Sequence, residues 1–376
     1  MSRASSPRVL LAAGGTGGHL FPAEALAVEL VKGGVEIHLA TDQRGMAYGG
    51  AFPAKERHAI RAATPSGKSP LALAKALFSL GLGFVQSLWL VHRLKPDAVV
   101  GFGGYPSVPP VLAAWLLGVP TLVHEQNGVL GRANRFLAPR AKAIGTGFAE
   151  VKGVSPSFQD RIHLVGNPVR PLVIEAAHQA YQPMASDGPI HLLITGGSQG
   201  ARVMSEVVPK ALGLLPPALK ARLAIVHQAR GNDLATAEHL YAEAGIRADI
   251  RAFFDDLPKR IADSHLVIGR AGASTVAELA VIGRPSILVP LPGSLDQDQA
   301  ANADSLARIG AATVMRQSDF TPEALAAVLE RRFTHPSELT DSSLAAKSAG
   351  IPDAAARFAD LVVLTAGLDV KRSKLP

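Results

Sequence analysis

The sequence predicts an α/β protein built from two Rossmann-like, doubly wound domains in tandem. Short, continuous apolar runs alternate with amphipathic stretches along the chain. That is the pattern of parallel strands covered by helices on both faces. The run Val9-Leu-Leu-Ala-Ala-Gly14-Gly15-Thr16-Gly17-Gly18 has a counterpart in His191-Leu-Leu-Ile-Thr-Gly196-Gly197-Ser198-Gln199-Gly200. Each reads as a buried strand, a glycine turn and the opening of a helix. A chain of 376 residues also exceeds what one ordinary core accommodates.

Taken in order, the apolar runs place strands at Val9–Ala13, Val35–Ala40, Ala98–Gly101, Thr121–His124 and Ile162–Val165 in the first domain. The second domain takes Ile190–Thr195, Leu223–His227, Ile250–Phe254, Leu266–Gly269 and Ser286–Val289. Helical spacing falls between them, at Pro22–Lys32, Ser107–Leu117, Arg202–Leu212, Asp233–Ala244, Ser274–Ile282 and Ala300–Ile309. The proline-rich, aperiodic stretch Gly166–Gly188 marks the boundary, with domains assigned to 1–170 and 171–350. The stretch Thr334–Ser348 reads as polar, Ile351–Ala366 as a last amphipathic helix, and Lys371–Pro376 as a solvated tail.

Apolar residues at 48% and charged residues at 18% exclude a disordered chain. The absence of cysteine excludes a disulfide framework and a thiolate zinc site. The apolar run Val9–Ala13 is too short for an export signal, so a cytoplasmic protein is expected. A net charge of +7 admits nucleic acid, anionic lipid or a phosphorylated substrate as partner. Few aromatics, and no basic run beyond the short tail, argue against nucleic acid.

The glycine turns carry the chemistry. Without a Cβ, backbone N–H groups approach a ligand closely, and a helix N-terminus behind them favours negative charge. The dinucleotide fingerprint fails, because Leu20 stands where its third glycine belongs, and no P-loop Gly-Lys-Ser/Thr occurs. A third corner, Gly269-Arg270-Ala271-Gly272-Ala273-Ser274-Thr275-Val276-Ala277-Glu278, again runs from strand into helix. Its small residues and two hydroxyls suit a diphosphate, and Glu278, one turn further on, suits a ribose diol. A single such corner is equally a plain strand-to-helix turn; three together point to a nucleotide.

Seven runs in order resemble the MurG-type family of UDP-N-acetylglucosamine:lipid-linked muramoyl-pentapeptide transferases. They are Gly14–His19 with Pro22-Ala23, Gly103–Pro109, His124–Asn127, Gly166–Arg170, Gly196–Ala201, Arg270–Thr275 with Glu278, and Asp296/Gln299 with Asn302-Ala303. The resemblance spans about residues 8–310 and implies a GT-B fold, with two Rossmann-like domains facing a deep cleft. It sends Ile351–Ala366 back onto the first domain. It implies that Phe254 sits against the uracil and Glu278 takes the ribose hydroxyls. Ser198, Arg170 and the helix start Ala273–Thr275 would surround the diphosphate, and Gln299 and Asn127 would bind the sugar. The acceptor, an undecaprenyl-linked muramoyl-pentapeptide, would lie near Thr16, Gly17, Gly18 and His19 and near Gly103–Pro106 with Tyr105. Another GT-B enzyme, such as a UDP-sugar 2-epimerase or a glycolipid synthase, and a silent nucleotide-binding module are the rival readings.

Direct attack on an α-linked UDP-sugar inverts the anomeric carbon and needs a general base. His19 is the first candidate base and Glu125 the second; a backbone-orienting role for His19 is equally open. The Asp296-Gln-Asp298 run is a common three-residue pattern, so no obligatory metal and no cofactor are expected. The longest apolar stretch, Leu71–Leu94, is interrupted by Lys75, Gln86 and glycines. It reads as an interfacial helix, with Lys68, Lys75, Arg93 and Lys95 meeting anionic headgroups, Trp115 alongside, and the protein peripheral to the inner face of the plasma membrane.

Overall fold

The computed structural model describes residues 6–15, 17–47, 52–63, 70–197, 200–294 and 297–370. The chain forms two compact units. One runs to Arg170 and takes back the chain from Pro352; the other spans Pro171–Ile351.

The first unit holds seven strands: β1 (Arg8–Ala13), β2 (Glu36–Thr41), β3 (Glu56–Ala59), β4 (Ala98–Gly101), β5 (Thr121–Glu125), β6 (Ala143–Thr146) and β7 (Ile162–Leu164). Their spatial order is β3-β2-β1-β4-β5-β6-β7, and every pairing is parallel. The second unit holds β8 (Ile190–Thr195), β9 (Leu223–Gln228), β10 (Ala248–Arg251), β11 (Leu266–Gly269), β12 (Ser286–Leu288) and β13 (Ala312–Val314). These are ordered β10-β9-β8-β11-β12-β13, again all parallel.

Alternate side chains on β1 explain the layering. Val9 and Leu11 enter a core with helices Gly17–Lys32 and Ala354–Ala366. Leu10 and Ala12 enter the opposite core, with Leu90 and Val91 of helix Pro70–Leu94 and Val111 of helix Val108–Leu116. Strands buried on both faces read as continuous apolar runs, which is why the sequence marks them clearly.

Both sheets reverse winding direction at their centre. In the first, connections run outward from β1 through β2 to β3, and from β4 through β5 to β7. In the second, β8 and β11 are the corresponding pair. Loops leaving the carboxyl ends of two such strands diverge to opposite faces and leave a crevice between them.

Three strands escaped the sequence reading. β3 is Glu-Arg-His-Ala, a charged edge strand with no apolar run. β6 and β13 are short and contain small or hydroxyl residues. The strand expected at Ile250–Phe254 is displaced: it covers Ala248–Arg251, leaving Phe253 and Phe254 in the following loop. The stretch read as polar, 334–348, is mostly helix Pro336–Ala349, whose inner face carries Leu339, Ser342, Ser343 and Ala346. Serines masked its amphipathic signal.

Candidate active site

In the first unit the switch-point loops follow β1 and β4. Gly15 must be glycine, because a Cβ there would collide with the Asp42 carboxylate and the Gly45 N–H. Asp42 caps the short helix Gln43–Met46, its Oδ1 accepting from Gly45 N at 3.0 Å. Gly17 and Gly18 open the helix that runs to Lys32; Thr16 lies outside the described residues. From the β4 side, Gly103 and Gly104 adopt φ +78° and +69°, left-handed values that glycine alone reaches cheaply. They lead into the turn Tyr105–Ser107, where Tyr105 is half-buried.

His19 joins the two loops. A Cβ built on Gly14, Gly103 or Gly104 would stand 3.6, 3.5 and 3.4 Å from its ring atoms. Burial among them drives its pKa down to about 4, with Asp42 opposing and Arg44 reinforcing the shift. At neutral pH the imidazole is uncharged and carries a lone pair.

The β5 end is an acceptor knot. Glu125 is buried. Its Oε1 accepts from Asn127 N at 3.0 Å and Asn127 Nδ2 at 3.2 Å; its Oε2 accepts from Gly131 N at 2.8 Å and Asn134 Nδ2 at 2.9 Å. Burial pushes the carboxyl up despite these four donors. Both oxygens are committed to holding loop 126–134. His124, fully buried against Phe102 and Phe358, places Nε2 2.9 Å from the Gly166 carbonyl, and burial lowers its pKa to about 4. Gln126 and Asn167 continue the network through Phe102 O and Gln126 O. The guanidinium of Arg170 stands 4.6 Å over the ring of Phe21, within the same unit. Asn134 was absent from the sequence reading, although a buried amide opening helix Arg132–Leu137 is a typical loop anchor.

In the second unit β8 and β11 are paired with Thr195 opposite Gly269, so their two corners leave adjacent strand ends. A Cβ on Gly269 would press on the Thr195 carbonyl at 3.0 Å, and one on Gly196 would collide with the Ala201 backbone. Gly197 and Gly200 take φ +75° and +78°; Ser198 and Gln199 lie outside the described residues. The β11 corner caps helix Ala273–Ile282 with the backbone of Gly272 and no side chain, so its first-turn N–H groups are not consumed by a cap. Ser274, Thr275 and Ala277 are half-buried; Ala273, Val276 and Glu278 are buried.

Neighbouring side chains brace these corners. Arg270 donates to Val289 O, Pro290 O and Gln317 Oε1 at 3.1, 3.2 and 2.7 Å. Buried Asn302 donates to Ala271 O. Gln299 accepts from Leu291 N at 3.0 Å, which commits its carbonyl oxygen and leaves the amide NH2 for other partners. Asp298 begins helix Asp298–Ala307, while Asp296 lies outside the described residues. The ring of Phe254 is buried, with Arg260 stacked at 4.2 Å and Arg251 at 5.5 Å. The aromatic face presented to solvent is that of Phe253, 58% exposed.

The comparisons with known proteins bear on both units. The description of a glycosyltransferase family 28 N-terminal domain matches residues 9–146, and that of a glycosyltransferase family 28 C-terminal domain matches residues 191–358. The chain belongs to glycosyltransferase family 28. Among its family 28 relatives is a Methylobacterium nodulans protein, 60% identical over 364 residues that cover 96% of this chain and 98% of the relative. It is named UDP-N-acetylglucosamine--N-acetylmuramyl-(pentapeptide) pyrophosphoryl-undecaprenol N-acetylglucosamine transferase. A Rhodopseudomonas palustris protein of the same name is 49% identical, covering 99% of this chain and all of the relative. The crystal structure of Acinetobacter baumannii MurG superposes with a TM-score of 0.76 at 31% identity, covering 95% of this chain and 99% of that one. A Neisseria meningitidis UDP-GlcNAc 2-epimerase shares the fold at 14% identity and a TM-score of 0.64. The family 28 fold is thus GT-B, with two Rossmann-like parallel-sheet domains.

Proposed function

We propose that the chain is an inverting glycosyltransferase that moves N-acetylglucosamine from UDP-N-acetylglucosamine to the 4-hydroxyl of the undecaprenyl-linked muramoyl-pentapeptide. Identity of 49–60% over nearly the full length, to relatives all named for this transfer, carries the reading. The 2-epimerase rival rests on fold likeness alone.

The second unit takes the donor. Backbone N–H groups at the Gly196–Gly200 and Gly272–Thr275 corners, with Ser198 and Thr275, receive the diphosphate and stabilise the departing UDP. Glu278 takes the ribose hydroxyls, the amide of Gln299 the sugar, and the backbone at Phe254 the base. The first unit takes the acceptor at Thr16–His19 and Tyr105, where neutral His19 accepts the proton of the attacking hydroxyl. Glu125 is a positioning residue that holds Asn127 for the sugar. Arg170 contributes positive charge toward the phosphates. No metal and no cofactor enter these steps.

The protein works at the inner face of the plasma membrane as a peripheral enzyme, with no part for nucleic acid, and its product feeds wall growth during cell elongation and division. What supports surface attachment is helix Pro70–Leu94. It is long and apolar enough to span a bilayer, yet one stripe of it, Ala76, Gly83, Ser87, Leu90 and Val91, is buried within the unit. Spanning would strip that stripe from its core. The opposite stripe exposes Leu71, Leu77, Phe78, Val85 and Trp89, with Lys75, Arg93 and Lys95 beside it. Trp115 and Phe136 are also exposed, with the Arg140 guanidinium 5.4 and 4.6 Å over their rings.

The test is transfer of radiolabelled N-acetylglucosamine to purified muramoyl-pentapeptide lipid. UDP release that depends on the acceptor is the expected result. Epimerised donor, or UDP release indifferent to the acceptor, would overturn the reading.

A further inference from the structure

The edge of the first sheet carries a cluster that the transfer reaction does not use. We propose that His38, His58 and Glu56 bind a zinc-class divalent cation, with Glu36 orienting His38 from behind. His38 and Glu56 are register partners on β2 and β3, and His58 lies two residues further along the same face. One ligating atom from each of the three falls within 4.8 Å of the others.

The imidazole geometry is specific. His38 Nδ1 and His58 Nε2 face each other at 3.2 Å, and the rings stack at an interplanar angle of 16°. Two nitrogens bound to one tetrahedral zinc at ~2.05 Å would stand about 3.3 Å apart. On its other side, His38 Nε2 lies 3.0 Å from Glu36 Oε1. A carboxylate only accepts, so Nε2 carries the proton and Nδ1 presents a lone pair toward His58. Something positive must sit between the two rings: a proton or a cation. Glu56 Oε1 lies 3.8 Å from His58 Nδ1, so its carboxylate stands beside the pair and would add negative charge to a cation bound there.

The surroundings complete a metal site. The Glu36–His38 pair is the carboxylate–imidazole arrangement that fixes tautomer and raises ligand basicity behind a metal. Glu36 is itself held by Lys55 at 2.6 Å and Arg8 at 3.3 Å. His38 is buried while Glu56 is exposed, so the site is anchored on one side and open to entry on the other. Two imidazoles and a carboxylate suit zinc and its neighbours rather than magnesium or calcium.

The location gives the cation a purpose. β3 is a four-residue edge strand paired on one side only. Ala40, two residues beyond His38, packs with Leu90 and Val91 of helix Pro70–Leu94. A cation here would clamp the edge strand to β2 on the face that this helix covers.

The experiment titrates chelator-stripped full-length protein with zinc chloride against a chromophoric competitor. X-ray absorption is then recorded on the one-equivalent wild-type complex. One saturable equivalent is expected, with two imidazole nitrogens at ~2.0–2.1 Å. His38→Gln and His58→Gln should each abolish that equivalent, and Glu36→Gln should weaken it ~10–100-fold. The exposed His239→Gln, in the other unit, should leave it unchanged. Absence of saturable binding, a shell with fewer than two imidazoles, or full affinity in both histidine variants would overturn the proposal. The absorption spectrum uses wild-type protein alone, so a variant that fails to fold does not blunt the test.

Discussion

At the residue scale the proposed chemistry turns on two groups that sequence reasoning placed side by side and the structure makes different in kind. His19 is neutral and lodged between two glycine loops; Glu125 is buried with both oxygens taken. If His19 is the base, His19→Ala should lower kcat by ~10²–10⁴ with donor KM little changed. The pH profile checks it independently. A base works when deprotonated, so the acid limb of kcat/KM should fall near pH 4 rather than at the ordinary histidine value of 6.5. A limb at 6.5 would assign the titration to another group. Glu125→Ala removes the acceptor of four hydrogen bonds, one buried and three part-buried, so it should lose ~1–3 kcal/mol in urea unfolding. Undiminished stability with lost turnover would instead favour a direct chemical role. His19 was legible because a histidine ending a glycine run is unusual. The acceptor knot of Glu125 was not, because its donors Gly131 and Asn134 belong to a cap and a six-residue helix too short for a periodic signature.

At the element scale, buried strands announced themselves and edge elements did not. β1 and β8 are apolar on both faces, so composition alone locates them. β3 spends its four positions on Glu, Arg, His and Ala, and the charged side chains that discourage pairing at a sheet edge hide it from any hydrophobicity argument. Helix Pro70–Leu94 shows the converse problem. Its apolar count alone suits a membrane span, and only the packed stripe through Gly83 and Val91 separates lying on a bilayer from crossing it. A Cβ at Gly83 would meet the Arg61 carbonyl, so the helix seats closely on the chain leaving β3. If the helix lies on a bilayer as proposed, the exposed cations Lys75 and Arg93 set its affinity for anionic lipid. Each is worth ~1 kcal/mol near a charged surface, so Lys75→Glu with Arg93→Glu should weaken vesicle binding at least ~30-fold. Co-sedimentation with phosphatidylglycerol vesicles measures this, and unaltered binding would remove the helix from the membrane contact.

At the scale of the whole molecule, the repeated opening at Gly14 and Gly196 let the sequence foretell two doubly wound units, since each glycine corner must follow a buried strand. What it left hidden is how those units bury titratable groups. His19 and His124 in the first unit, and His227 and His265 in the second, all have pKa values lowered to about 4, chiefly by burial. The unfolded chain takes up these protons near pH 6.5 and the folded chain does not until about pH 4. Above pH 6.5 neither state is protonated and the histidines add no pH dependence. As pH falls from 6.5 toward 4, each histidine favours the unfolded chain by up to ~1.4 kcal/mol per pH unit. Glu125 opposes this, because its raised pKa lets the folded state hold a proton first. Glu36, lowered to about 2, adds a further loss as pH falls from 4.5 toward 2. Two sensitive histidines in each unit mean that both urea transitions, followed by circular dichroism between pH 8 and pH 5, should shift to lower denaturant together, most steeply below pH 6.5. A midpoint of the first unit that stays level to pH 5 would show its histidines titrating normally, and with that the neutral His19 on which the proposed proton transfer depends would lose its physical basis.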